Sequence, residues 1–491
     1  MKARVFAPRY RLAPQFPFPC GMFHWKTAFS AKQPASTIIL SGDSAGGGAV
    51  ASLLCILRDQ EIPLPAGAIL ISPWLDLTHS FPSVISDNSG DFLSAHGFLH
   101  KPSISWPPST REEIEMALAM KELQQEFNPK YVLTRLKEFV KPHRRSNRHE
   151  NQPQTFDTVS PSLADDSRYV SHENNVSIKT DGCEICIQDQ IQIYTTNQLL
   201  NHPLVSPILQ GSLGGLPPLL ILVGGSEVLR DEQLYFAHKA ANPREHPVPS
   251  FVATPKQLSN FNRWENGTDV VLQVFDGCCH VTPTLSFTKP AKYMYRSIAG
   301  FGDWLFAQNE SKITHTVQAP NPKCSIVMSQ RCTENTEKSD GHLPSHLRSR
   351  VVEIPTAPTS AKRICKVTDR ELRYNESPDF VDHMVRQRID ERGNIHPLPP
   401  VSELSYSQLI LEEIGQIKPE PVRRWMEGKQ IWDRRYAKVK GRVHLQRVRE
   451  LAKGRRLTFA DDAGAIDRPP PTALAGSRKI TTSRCQIRSL F

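Results

Sequence analysis

The stretch "TIILSGDSAGGG", Thr37 to Gly48, decides the fold. Its first residues, Thr37 to Leu40, read as a buried strand, and "AGGGAVASLLCILR", Ala45 to Arg58, continues as an apolar helix. Between them lies a G-x-S-x-G pattern with Gly42 and Gly46 around Ser44. A strand-to-helix corner of this kind holds a serine hydroxyl out above a sheet, which suits a nucleophile. Glycine is expected at both 42 and 46 because a Cβ there would collide with the serine or the neighbouring strand. The plainer alternative is a Gly-rich loop.

Outward from this corner, residues 1–99 alternate strand-like and helical runs: "ARVFAPRY", "STIILSG", the helix after Ser44, then "AGAILISPWLDL". Such alternation predicts an α/β fold, a mostly parallel sheet with flanking helices. Over 100–190 the pattern lapses into a cap or insertion. That segment holds one amphipathic helix, "TREEIEMALAMKELQQEF", with a capping box of Thr110 and Glu113 and with Met116, Met120, Leu123 and Phe127 on one face. The polar stretch after it reads as flexible. Core-like runs return over 191–310 in "PPLLILVGGSEVLRDEQLYFAHKAA" and "DVVLQVFDGCCHVTPTL". Residues 311–420 read as a disordered linker, 421–460 as a basic amphipathic helix and 461–491 as a disordered tail.

Composition agrees with a chain that is compact only in part. It has 40 prolines and 39% hydrophobic residues, with a mean hydropathy of −0.40. Residues 421–460 carry 13 Lys or Arg against 3 Asp or Glu, a local excess equal to the +10 formal charge of the whole chain. The remainder is therefore near neutral. Trp432, Tyr436, Val439 and Val443 recur at helical spacing within that basic stretch. It offers a face to an anionic membrane surface or an acidic partner, against the plainer reading of a solvated helix. Nucleic acid is disfavoured, since no nucleic-acid-binding fold accompanies the charge.

The ten cysteines lack regular spacing, and the lone C-x-x-C, Cys183 to Cys186, has no partner pair for zinc. With Cys278 and Cys279 they read as reduced thiols, and no metal or cofactor is expected. No run is apolar enough to span a membrane and the opening residues carry no signal-peptide core, so the chain as written reads as cytoplasmic. Sequons at Asn175, Asn266, Asn309 and Asn375 read as chance matches.

A serine hydroxyl needs a base to take its proton, and the base needs an acid to fix its tautomer. In hydrolases with a serine elbow the chain order is serine, acid, histidine, the last two on loops after later strands. Glu227 follows "LLILVGG" and His280 follows "VVLQVF". Asp231, in the same loop as Glu227, and Asp276 remain alternatives for the acid. Loops at the carboxyl ends of parallel strands converge on one edge, so Ser44, Glu227 and His280 can meet there.

"YRLAPQFPFP", "GDSAGGG", "SPWLDLT", "HPLVSPILQGSLGGLPPLLILVGGSEVLRDE" and "FDGCCH" stand in the order found in the hormone-sensitive-lipase-like esterases, the alpha/beta hydrolase fold-3 group. The resemblance covers about 1–99 and 192–308, and the long connecting segment and proline-rich tail resemble those of fungal members. It implies Ser44 as nucleophile, His280 as base, Glu227 as acid where many relatives carry aspartate, and Asp231 as a supporting acidic residue. It also implies Asp43 as a structural hydrogen-bonding partner and the Ala45 N–H as an oxyanion donor. The implied activity is a carboxylesterase, lipase or deacetylase acting on small, apolar esters, with a pocket partly roofed by the Thr110–Phe127 helix. The family's HGGG oxyanion loop, which precedes "YRLAP", does not occur in the chain. The expectation is of an N-terminally truncated or degenerate member, with a membrane-associated longer form. The alternative function is a non-catalytic scaffold acting through its basic tail.

Overall fold

The computed structural model describes residues 4–19, 34–126, 176–317 and 378–453, with short breaks within the first three stretches. β1 (Ile39–Asp43) runs into α1 (Ala45–Asp59), which leads back to β2 (Gly67–Ile71). A short helix, α2 (Pro82–Ile85), and α3 (Arg111–Glu126) precede an antiparallel hairpin of β3 (Val176–Thr180) and β4 (Cys183–Ile187). Then come β5 (Leu219–Gly224), α4 (Arg230–Ala241), α5 (Pro255–Arg263), β6 (Val270–Phe275) and α6 (Lys289–Val317). The described chain closes with β7 (Met384–Ile389), β8 (Ile395–Pro397), α7 (Pro419–Arg435) and α8 (Ala437–Ala452).

The main sheet has the order β1-β2-β5-β6-β7-β8, parallel throughout except for the last pair. One row across it pairs Gly42 with Leu70, Leu70 with Ile221, Ile221 with Leu272, and Leu272 with Arg386. Every residue of β5 and β6 is buried, because helices cover both faces, and a strand covered twice needs apolar side chains on both sides. Alternation then divides them. Leu219, Ile221, Val223, Leu272 and Val274 pack with Val50 and Leu54 of α1 and Phe236 of α4. Leu220, Leu222, Val271 and Phe275 pack with Met294, Phe301 and Trp304 of α6.

Several expectations change. The first strand starts at Ile39, since Thr37 closes a single 3-10 turn, Ala35–Thr37. In "ARVFAPRY", residues 4–8 form no strand, and Val5 and Phe6 are exposed. The 100–190 segment contributes the β3–β4 hairpin. The largest correction concerns 311–420. Its last part is folded: β7 pairs along its full length with β6, β8 returns on β7, and Leu404, Tyr406 and Ile414 enter the core. β7 reads "MVRQRI" and only its two ends are buried. Its main-chain hydrogen bonds place it in the sheet while its side chains look like linker. A charged strand beside a three-residue edge strand is also how sheets discourage further pairing.

The described part of the expected 421–460 helix is two helices, meeting at Tyr436, and residues 454–460 lie outside the described residues. α8 turns Val448 and Ala452 onto Ala117 and Met120 of α3. Buried Arg447 donates to Glu113 Oε2 at 3.3 Å and to the carbonyls of Ser103, Ile104 and Pro107, while His444 Nδ1 lies 2.9 Å from Glu113 Oε1. The Glu113 carboxylate thus holds α8, and Thr110 of the expected capping box lies outside the described residues. Trp432, Tyr436, Val439 and Val443 are half-buried, and Trp432 donates its indole N–H to the carbonyl of His100 at 3.0 Å. The expected flexible segments at 127–175, 318–377 and 461–491, with Asn175 and Asn375, also lie outside the described residues. Cys55, Cys278 and Cys279 are free thiols. Among the described residues no helix is long and apolar enough to cross a membrane.

Candidate active site

Ser44 leaves β1 with φ 52° and ψ −123°, a backbone conformation costly for serine, and stands at the N-terminus of α1. The corner is held from both sides: the Ser44 N–H donates to the Ile71 carbonyl at 3.0 Å, and the Trp74 N–H donates to the Ser44 carbonyl at 2.9 Å. A Cβ at Gly42 would strike the Gly46 carbonyl, and one at Gly47 would sit 2.6 Å from Pro73 Cβ. These glycines let α1 press against β1 and the turn after β2. Gly46 departs from expectation, because a Cβ there meets nothing within 4 Å. Its side faces open space, so steric need does not explain the glycine.

Glu227 lies just past β5 and His280 just past β6. His280 Nε2 is 2.9 Å from Ser44 Oγ, and His280 Nδ1 is 2.9 Å from Glu227 Oε2. The second Glu227 oxygen accepts the Gly224 N–H at 2.9 Å. Glu227 is fully buried and His280 nearly so. Burial pushes the Glu227 carboxyl above its usual range, against the opposing pull of His280, the Gly224 N–H and the Ser72 hydroxyl. When ionised, Glu227 accepts the Nδ1 proton, which leaves the Nε2 lone pair to receive the serine hydroxyl. The two loops are joined at their roots, Gly225 N–H to the Phe275 carbonyl at 2.7 Å and Ser226 N–H to the Cys278 carbonyl at 3.0 Å.

Neither alternative acid bonds to His280. Asp231 accepts from the Ser83 N–H at 3.0 Å and the Ser405 hydroxyl at 2.7 Å, bracing α2 and the turn at 405. Asp276 is half-exposed and faces Arg388 at 3.5 Å. Asp43, expected as a hydrogen-bonding partner, ends β1 at an exposed position, and among the described residues its carboxylate makes no hydrogen bond. Together with burial its charge raises the Tyr10 phenol. Ala45 opens α1, where a backbone N–H has no partner inside the helix.

Around Ser44 the walls are Trp74, His79, Val84, Leu93, Val228 and Leu229, a mostly apolar hollow. Among the described residues α3 contributes none of them. The expected roof helix packs on α8 instead, because its apolar face meets Val448 and Ala452. Burial lowers the basicity of His79, more than the nearby Asp76 charge raises it.

A family model described as the alpha/beta hydrolase fold matches residues 1–146 and 140–252. The chain belongs to the alpha/beta hydrolase fold-3 family. An acetyl-hydrolase of Streptomyces hygroscopicus is 42% identical over 79 residues, 15% of this chain and 26% of that protein. The chain therefore matches about a quarter of that relative's length. Among solved structures, an esterase/lipase from an uncultured bacterium is 22% identical with a TM-score of 0.30, over 61% of this chain and 64% of that one. An esterase from the bacterial hormone-sensitive lipase family gives 22% identity and a TM-score of 0.30, over 60% and 63%.

Two residues that the sequence did not single out support the candidate site. Glu232 is fully buried and accepts the N–H groups of Leu75 at 2.6 Å and Asp76 at 3.1 Å, fixing the turn after β2 from α4. Burial, with Asp76 adding, pushes its carboxyl well up. Asp91 accepts the Val228 N–H at 2.8 Å and the His280 N–H at 3.2 Å. Neither belongs to a motif with spacing of its own, so only the folded chain reveals them.

Proposed function

We propose that the protein is a serine hydrolase that cleaves small, apolar esters, with Ser44 as nucleophile, His280 as general base and acid, and Glu227 as the group that orients His280. What supports the reading most is the continuous hydrogen-bonded line through Ser44 Oγ, His280 and Glu227, two 2.9 Å contacts between residues 236 and 53 positions apart. A line of that kind at a strained serine corner is what nucleophilic acyl transfer requires.

In the first half of the reaction Ser44 Oγ attacks the ester carbonyl carbon while its proton passes to His280 Nε2. The carbonyl oxygen becomes an oxyanion. The Ala45 N–H at the positive end of α1 supplies a donor for it, and losing one such donor costs about 3–4 kcal/mol of transition-state stabilisation. Collapse breaks the ester C–O bond, and the departing alkoxide takes the proton from Nε2 and leaves as an alcohol. In the second half a water molecule gives its proton to Nε2 and attacks the acyl carbon. The new tetrahedral intermediate expels Ser44 Oγ, which recovers that proton, and the carboxylic acid is released. Glu227 stays ionised and offsets the positive charge that His280 carries between the two proton transfers.

The test is turnover of p-nitrophenyl acetate and butyrate by the full chain. Ser44→Ala is expected to lower kcat by about 10⁴-fold or more while the chain stays folded. A folded wild-type chain with no turnover above the Ser44→Ala variant would leave a non-catalytic hydrolase fold.

A further inference from the structure

The loop after α2 approaches the acid and base loops with three consecutive residues. A Cβ on Gly90 would lie 2.9 Å from Ser226 Cβ, so glycine at 90 lets the loop seat directly on the segment that carries Glu227. Asp91 spans the gap with one oxygen on each side: Oδ2 accepts the Val228 N–H at 2.8 Å and Oδ1 accepts the His280 N–H at 3.2 Å. Oδ1 is also 3.4 Å from the Leu93 N–H. Next, the Phe92 ring lies with its centroid 6.0 Å from that of the His280 imidazole, tilted by 59°, and Phe92 is itself 65% exposed.

We propose that Asp91 is a positioning residue that sets the distance between the Glu227 carboxylate and the His280 imidazole, with Phe92 covering the imidazole face. The proposal rests on the reading of Ser44, His280 and Glu227 given above. The roots of the two loops are tied by main-chain bonds at Gly225 and Ser226, but their tips are not. Asp91 grips the peptide next to Glu227 and the peptide of His280 itself. It is a hydrogen-bond acceptor shared by two donors that are 137 and 189 residues away along the chain. Charge-assisted bonds of that type are stronger and shorter than neutral ones. Since Val228 and Leu93 also line the Ser44 hollow, the same carboxylate shapes one wall of it. A catalytic group displaced by about 1 Å can lose about 10²-fold in rate.

The experiment compares wild type, Asp91→Asn and Asp91→Ala in the full chain, with p-nitrophenyl acetate kinetics and proton NMR of the downfield His280 Nδ1–H. Asp91→Ala is expected to lower kcat by about 10- to 100-fold with KM changed less than about 3-fold. Asp91→Asn, which keeps one acceptor oxygen, falls between. The downfield resonance is expected to be sharp in wild type and broadened or absent in Asp91→Ala. Wild-type kcat in a folded Asp91→Ala overturns the positioning role and leaves the hydrolase reading intact. If wild type itself has no turnover, that reading fails. The resonance then still decides the positioning claim, which falls if the signal is the same in wild type and Asp91→Ala.

Discussion

The β1-β2-β5-β6 half of the sheet and the β7-β8-α7-α8 half are built by different rules. In the first, side chains dictate position. β5 and β6 are buried along their whole length, and their loops carry Glu227 and His280, which bond to each other, His280 reaching on to Ser44. In the second, main-chain bonds and ion pairs share the task with fewer apolar contacts. β7 places Arg386 in the row where β6 has Leu272 and β5 has Ile221, and α8 is fastened by Arg447 and His444 on Glu113 beside a small apolar contact of Val448 and Ala452 with α3. The lesson is that burial on two faces writes itself into the sequence, whereas pairing at an edge does not.

The sharpest contrast between the halves is catalytic. His280→Ala is expected to lower kcat/KM by about 10⁵-fold or more, and Glu227→Gln by about 10⁴-fold, in p-nitrophenyl acetate assays. Arg388→Ala, at the far edge, should leave turnover within about 2-fold of wild type. An equal loss from Arg388→Ala would erase the distinction.

Stability draws the next line. Ile221→Ala in β5, fully buried, is expected to cost about 3–4 kcal/mol in urea unfolding. Glu113→Ala should cost about 3 kcal/mol, because it leaves Arg447 buried without its carboxylate. In this second variant the loss should come with protease sensitivity near α8 and an unchanged kcat.

Glu232 tests how the first half pays for its rigidity. Its folded carboxyl is raised, so the folded state binds that proton more tightly than the unfolded state does, and what this group contributes to stability falls as pH rises through and above the ordinary carboxylate range. Glu232→Gln keeps an acceptor for the Leu75 and Asp76 N–H groups and has no proton to lose. Its stability relative to wild type should be unchanged at acid pH and increasingly favourable toward neutral pH, read as urea midpoints. A difference that is constant with pH would contradict the assignment. The smallest effect belongs to the edge: Arg388→Ala, removing an exposed pair with Asp276, should shift stability by no more than about 0.5 kcal/mol.

The same contrast explains what the sequence could tell. The runs ending at Gly224 and Phe275 were legible because they are apolar on both faces, and "TIILSGDSAGGG" because a short apolar run stops at a Gly-rich corner; Ser44, Glu227 and His280 sit at those stops. "MVRQRI" was not, because its alternation is broken by Arg386 and Arg388. α3 was legible as a helix but not in its packing, since an apolar face does not name the surface it meets. Asp91 and Glu232 act through backbone N–H groups of distant loops, and no spacing rule marks such contacts.

The central claim, that Ser44 is activated by His280, is tested most directly by treating the full chain with a fluorophosphonate and locating the adduct by peptide mass spectrometry. The account predicts phosphonylation on the Ser44 peptide in wild type and its loss in His280→Ala. A folded wild-type chain that stays unlabelled, or carries the label on another residue, would contradict it.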